Sequence, residues 1–174
     1  MIAKNCIHPI KVNRIITEFL NSLCDLPTNT HFVVKSSNSN DMNYFISIDD
    51  FEIIGPRWRT VEYKNDIGGK MFRKDFVKRC PMAKGFADVT LALLHEVGHQ
   101  MTVKDIPTDY RRSVALRKIA INTSDPYKRC MKYFYLIDEL LATNWAINWL
   151  SDAENRKIAK EFERKFFSCF TTLT

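Results

Sequence analysis

The sequence predicts an α+β fold in which a first helix and a small mixed sheet of three or four strands precede a helical half. β-Favouring residues are concentrated between positions 31 and 63, and helical periodicity continues from about position 86 to the end. Strands grouped before helices are typical of the α+β class. The 174 residues are 45% hydrophobic and contain no internal repeat, so we expect one domain spanning 1–174.

The first half of the chain opens with a predicted helix at residues 9–24. Pro9 suits its first turn, and an apolar stripe follows. Strand-like segments then occur at 31–35, 44–48, 51–54 and 57–63. The pair Gly68-Gly69 predicts a turn or mobile loop after them.

The second half contains four predicted helices, at 86–103, 109–122, 127–150 and 152–170. The formal net charge is +6 and the pI about 9.1, but the basic residues of the last helix alternate with acids. That alternation is typical of the solvated face of a helix and not of a phosphate-binding patch. Nucleic acid is therefore not an expected partner.

Cysteine usage and hydropathy predict a cytoplasmic protein. The five cysteines are scattered and form no Cys-x-x-Cys pair, as expected of reduced thiols. The apolar stretches are too short for a secretion signal or a membrane span, so no membrane partner is expected. The sequence makes no prediction of oligomeric state.

The most informative stretch is His95-Glu96-Val97-Gly98-His99, inside the predicted helix 86–103. Histidines four residues apart lie on one face of a helix, so both imidazoles can reach one metal ion. Glu96 then lies beside the metal, where it can accept a proton from water. This HExxH pattern predicts a Zn²⁺ site with His95 and His99 as ligands and Glu96 as the general base.

A catalytic zinc needs a third protein ligand. Glu139 is the preferred candidate, because a carboxylate in a strongly apolar helix needs a partner or a metal. Ala142 and Ala146 lie on roughly its face, and Gly98 would allow a second helix to approach closely. Asp138 is an alternative ligand or an acceptor that orients a histidine. Asp105, six residues after His99, is a further alternative by analogy with metzincins.

The combination of His-Glu-Val-Gly-His with Glu139, Ala142, Trp145 and Ala146 resembles the gluzincin-type zinc metallopeptidases, and in particular the small intracellular peptidases of the ImmA/IrrE type. The chain departs from that pattern at Thr143, where Asn is expected, and in the long interval from His99 to Glu139. The resemblance implies a zincin-like fold and a protein substrate, in that family often a transcriptional repressor. A phage or other mobile element would be a fitting source.

The sequence therefore predicts a zinc metalloendopeptidase that hydrolyses a peptide bond through a metal-activated water. The edge of the segment 57–63 is expected to hold an extended peptide by β-addition. Tyr110, Tyr127 and Tyr135 are unranked candidates for the donor that stabilises the oxyanion. The alternative is a catalytically silent zincin-fold binding protein, an inhibitor or antirepressor, with a structural zinc.

Overall fold

A computed structural model describes residues 4–6, 9–23, 32–36, 43–48, 51–57, 67–105 and 110–172. The α-helices of these ranges are α1 (Pro9–Asn21), α2 (Ile67–Arg79), α3 (Asp88–Thr102), α4 (Tyr110–Ile121), α5 (Pro126–Phe134), α6 (Ile137–Ser151) and α7 (Ala153–Phe167). Short 3₁₀ turns at Pro81–Gly85 and Val103–Asp105 flank α3. No helix in the described ranges has the length and apolar character needed to cross a membrane.

The strands form two small antiparallel sheets, described here by their backbone. β1 (Lys4–Cys6) pairs with β5 (Phe170–Thr172) and so joins the two ends of the described chain. β2 (Phe32–Ser36), β3 (Asn43–Ile48) and β4 (Phe51–Arg57) pair in the order β2-β3-β4. The backbone of β4 runs beside α3.

The predicted α+β class with an N-terminal mixed sheet is wrong. Among the residues whose side chains the structure describes, 86% are helical and none lies in a strand. The fully buried large side chains all come from helices: Ile16, Leu20, Phe76, Leu91, Leu93, Leu94, Leu150 and Phe166. β-Branched and aromatic residues favour local strand pairing, but the fold class depends on which elements bury the core. Helices do so here, and we correct the class to a mainly helical fold.

Two further expectations are also wrong. Gly68 and Gly69 lie in the first turn of α2, not in a loop. Each glycine costs a helix only about 1 kcal/mol relative to alanine, and burial of Phe76 on the core offsets that cost. The long helix expected at 127–150 is two helices, because the chain breaks at Tyr135 and Leu136 between α5 and α6.

The other helical predictions are confirmed to within a few residues at each end, for α1, α3, α4 and α7. Beyond Arg57, the predicted strand 57–63 lies outside the described residues. The basic face of α7 is solvated, as predicted, and Lys157 pairs with Glu154 within the helix. Cys80 and Cys169 are buried and form no disulfide within the described residues.

The close packing of α3 against α6 positions the candidate site. A Cβ added to Gly98 would overlap the carbonyl oxygen of Ala142 and lie 2.9 Å from its carbonyl carbon and Cα. Real side chains do not tolerate such contacts, so only glycine fits at this crossing. The predicted reason for Gly98 and for the small Ala142 is thereby confirmed, and Ala146 is fully buried on the same helix.

The start of α3 is held from the far end of the chain. Glu163 of α7 is buried, and its Oε1 accepts hydrogen bonds from the backbone N–H of Ala87 at 2.5 Å and from the Thr90 hydroxyl at 2.7 Å. A carboxylate at a helix N-terminus satisfies unpaired N–H groups and interacts favourably with the helix dipole. Lys160 Nζ lies 3.1 Å from the other carboxylate oxygen.

Candidate metal centre

The two histidines of α3 project together from one face of the helix, as their spacing predicts. Their ring centroids are 4.7 Å apart with an interplanar angle of 82°. His95, Glu96 and His99 each offer one ligand atom, and these three atoms lie within 4.8 Å of one another. His95 is buried, whereas Glu96 and His99 are half-buried.

Glu139, in the first turn of α6, points its carboxylate at both histidines. Its Oε2 lies 3.0 Å from Nε2 of His95 and 3.4 Å from Nε2 of His99. Ligand bonds of about 2.0–2.1 Å in a tetrahedral zinc site place neighbouring ligand atoms about 3.3 Å apart. The two measured separations bracket that value, so the position of Glu139 relative to each histidine is compatible with a shared tetrahedral ion.

Thr143, one turn after Glu139 on α6, holds the other ring nitrogen of His95. The buried Thr143 hydroxyl lies 3.0 Å from Nδ1. With an ion bound, a proton on Nδ1 donated to this hydroxyl would leave the Nε2 lone pair for the metal. Thr143 therefore helps to fix the orientation of the His95 ring.

Arg117 of α4 occupies the opposite side of the Glu139 carboxylate. Its guanidinium nitrogens lie 3.4 Å from Oε1 of Glu139, and it also binds the carboxylate of Asp138. It donates to the hydroxyl of Tyr133 at 2.8 Å and lies over the Tyr133 ring. Oε1 thus faces a fixed positive charge while Oε2 faces the histidines, which presents Glu139 to an ion through one oxygen.

The electrostatics of the cluster follow from burial and from the proximity of opposite charges. Burial alone would raise the pKa of Glu139, but hydrogen bonds from His95 and His99 outweigh it and hold that pKa far below the ordinary 4.5. Burial would likewise lower the pKa of His99, but the hydrogen bond and charge of Glu139 raise it above 6.5. The carboxylate is therefore ionised and supplies the negative charge that a bound cation would need.

Burial decides the direction of the pKa shift of two further groups, Glu96 and Tyr133. Desolvation raises the pKa of Glu96 above 4.5, against the lowering effect of the two histidines. Burial, reinforced by the Glu139 charge, raises the pKa of Tyr133 to about 12.

The Phe72 ring packs edge-on against His95 at 5.2 Å and lies 6.3 Å from the Phe134 ring. These aromatic rings line the inner side of the site with apolar surface.

The sequence-derived alternatives lie elsewhere. Asp138 binds Arg117, and Asp105 is exposed on the 3₁₀ turn after α3. Tyr127 and Tyr135 are exposed as well. His8, His31 and the side chain of Tyr110 lie outside what the structure describes.

Sequence reasoning missed Thr143, Arg117, Tyr133 and Phe72. The spacing of Thr143, four residues after Glu139 on the same helix face, was a usable signal. Arg117, Tyr133 and Phe72 belong to three other elements, and their approach depends on tertiary packing.

Comparison with known proteins adds no relative. No family model, curated protein or solved structure matches the chain.

Proposed function

We propose that the chain is a zinc-dependent metallopeptidase that hydrolyses a peptide bond in a protein substrate. The observation that carries the proposal is the position of Glu139 Oε2, 3.0 and 3.4 Å from the Nε2 atoms of His95 and His99. Two helices separated by the whole α4–α5 segment bring the side chains of His95, His99 and Glu139 close together, with Glu96 beside the two histidines.

His95, His99 and Glu139 are the residues that would hold the ion. A zinc ion there supplies Lewis-acid chemistry: it polarises a carbonyl group and makes water a stronger acid. Three protein ligands leave one position open, as in catalytic zinc sites. Thr143 orients His95 and Arg117 orients Glu139, and neither of them would bind the ion itself.

Glu96 is the proton carrier of the proposed reaction. Its pKa is raised by burial, which brings a carboxyl group closer to the range in which it can both accept and return a proton near neutral pH. It takes a proton from the attacking water and delivers it to the departing amine.

The substrate and location extend the proposal. Resemblance to ImmA/IrrE-type peptidases favours a transcriptional regulator as substrate. The buried thiols of Cys80 and Cys169 favour a reducing, cytoplasmic environment.

The test compares wild type with Glu96→Gln for zinc content and for cleavage of a peptide library read by mass spectrometry. We expect one zinc per chain in both proteins and cleavage by the wild type alone, because Gln cannot carry the proton. His95→Ala should lose the zinc. Equal cleavage by wild type and Glu96→Gln would refute the role of Glu96. Zinc in a wild type that cleaves nothing would support the silent binding protein instead.

A further inference from the structure

The net charge of the chain is concentrated in one segment, the α4–α5 hairpin, defined as residues 110–135. It contains one acid, Asp125, and seven basic residues: Arg111, Arg112, Arg117, Lys118, Lys128, Arg129 and Lys132. The rest of the chain contains nineteen basic and nineteen acidic residues. The hairpin therefore accounts for the whole formal charge of +6.

The same hairpin exposes an unusual amount of apolar surface. Seven of the ten exposed large apolar side chains in the described part of the chain belong to it: Val114, Leu116, Ile119, Ile121, Tyr127, Met131 and Tyr135. The last three are spaced by four residues and form a stripe on α5. A concentration of exposed apolar residues within a charged surface is typical of an interaction site.

The side-chain types of the hairpin indicate the chemistry of its partner. Nucleic acid would use the basic residues and the two tyrosines, but it gains little from the five aliphatic or thioether side chains. Tyrosine, methionine and arginine are the residues enriched at protein interfaces. The clustered positive charge complements an acidic partner.

The hairpin also lies against the candidate metal centre. Arg117 of α4 and Tyr133 of α5 both reach Glu139, and Phe134 at the end of α5 packs near Phe72 beside His95. A chain held on the hairpin is thereby held on the element that contacts Glu139.

We propose that the α4–α5 hairpin is the docking surface for an acidic, apolar segment of a protein partner. The assignment of that partner as the substrate rests on the proposed function. The acidic side chains pair with the hairpin lysines and arginines, and the apolar ones cover the α5 stripe.

Random peptides displayed on phage are selected for binding to the whole chain that carries Glu96→Gln and is loaded with zinc. The substitution prevents cleavage of the peptides during the selection. We expect the selected peptides to be enriched in Asp and Glu interspersed with aliphatic or aromatic residues. Introducing Lys128→Glu and Lys132→Glu as well should abolish the enrichment in acidic residues. It should also weaken the binding of a selected peptide by roughly tenfold or more.

The matched control makes the same charge change on α7, with Lys157→Glu and Lys165→Glu. Those lysines are exposed and distant in sequence from the hairpin, so acidic enrichment should persist. Thermal melting checks that both variants fold. A second variant combines Tyr127→Ser with Met131→Ser, at two exposed positions. It should weaken the binding of the same peptide without changing the charge of the protein.

Selected peptides without acidic enrichment, or enrichment lost equally in the α7 control, would overturn the proposal. So would a labelled single-stranded oligonucleotide that binds through Lys128 and Lys132 when acidic peptides do not. If the wild type cleaves peptides but the selected peptides are not enriched in acidic residues, the docking surface is wrong and the peptidase proposal stands. If the selected peptides are acidic but no peptide is cleaved, the docking surface is supported and its partner is not a substrate.

Discussion

Thr143 shows how one hydroxyl group can hold the ring of a proposed metal ligand. Its Oγ1 is the partner of Nδ1 in a buried imidazole, 3.0 Å away. Without that partner the ring could turn and move its Nε2 away from Glu139, whose carboxylate lies 3.0 Å from it. The contact is a hydrogen bond of ordinary length, but it fixes the direction of the ring.

We predict that Thr143→Val weakens zinc binding by about 10- to 100-fold, the usual effect of losing a partner of a ligand histidine. The side chain keeps its shape and loses only the hydroxyl group. Zinc affinity is measured by competition with a chromogenic chelator. Thr143→Ser restores the hydroxyl and should bind zinc nearly as well as the wild type. A Val variant with unchanged affinity would contradict the orienting role.

At the scale of elements, the site depends on how closely α3 and α6 approach. The crossing lies at Gly98 and Ala142, one turn from His95 and one turn from Glu139. A shift of a few tenths of an ångström there changes the separation between the histidines and the carboxylate. The helices thus set the ligand geometry through their backbones.

Gly98→Ala is predicted to destabilise the protein by about 1–3 kcal/mol and to weaken zinc binding. Alanine gains about 1 kcal/mol of helix propensity, but its Cβ overlaps backbone atoms that cannot move without separating the helices. Gly85→Ala is the matched control, because an added Cβ there meets nothing within 4 Å. Urea unfolding and zinc titration measure both effects. A Gly98→Ala protein as stable as the Gly85→Ala protein would contradict the close approach.

The anchoring of α3 by α7 gives a second prediction for the elements. Glu163→Ala leaves the Ala87 N–H and the Thr90 hydroxyl without their buried acceptor, which costs about 1–3 kcal/mol. Glu161→Ala, two positions earlier and exposed, should leave the urea midpoint unchanged. If both variants have the same urea midpoint, Glu163 does not anchor α3.

Local sequence signals were sufficient for half of the site and insufficient for the fold class. The i, i+4 histidines and the small residues opposite Gly98 lie within single helices, where periodicity determines which residues share a face. β-Favouring composition between positions 31 and 63 reports only a local preference, whereas the core is filled by helices from both ends of the chain. Arg117 and Tyr133 reach Glu139 through packing of separate helices, which no spacing in the sequence encodes.

For the whole molecule, an ion bound by α3 and α6 would join segments separated by forty residues, from His99 to Glu139. Such a link stabilises the folded state because the unfolded chain does not present the ligands together. Excess zinc at a hundred times its dissociation constant would contribute about 2.7 kcal/mol. The stabilisation should disappear with a chelator and in His95→Ala.

The stability of the metal-free protein and the stability gained from zinc should change in opposite directions as the pH rises. In the metal-free protein the raised pKa of His99 adds stability below its ordinary value of 6.5, and that stability is lost as the pH rises through the raised pKa. The lowered pKa of Glu139 adds stability above 4.5, which is lost only in strong acid. Between pH 6 and 8 the His99 contribution therefore falls as the pH rises.

Zinc must displace the His99 proton, so its affinity should rise over the same pH range. We predict that the melting temperature gained on adding zinc is larger at pH 8 than at pH 6, and that scanning calorimetry with and without a chelator will show the two trends diverging. His99→Gln removes both the proton and the ligand, and should make the zinc-dependent gain small at either pH. A gain that is equal at pH 6 and pH 8 would mean that the ion does not compete with the proton shared by His99 and Glu139.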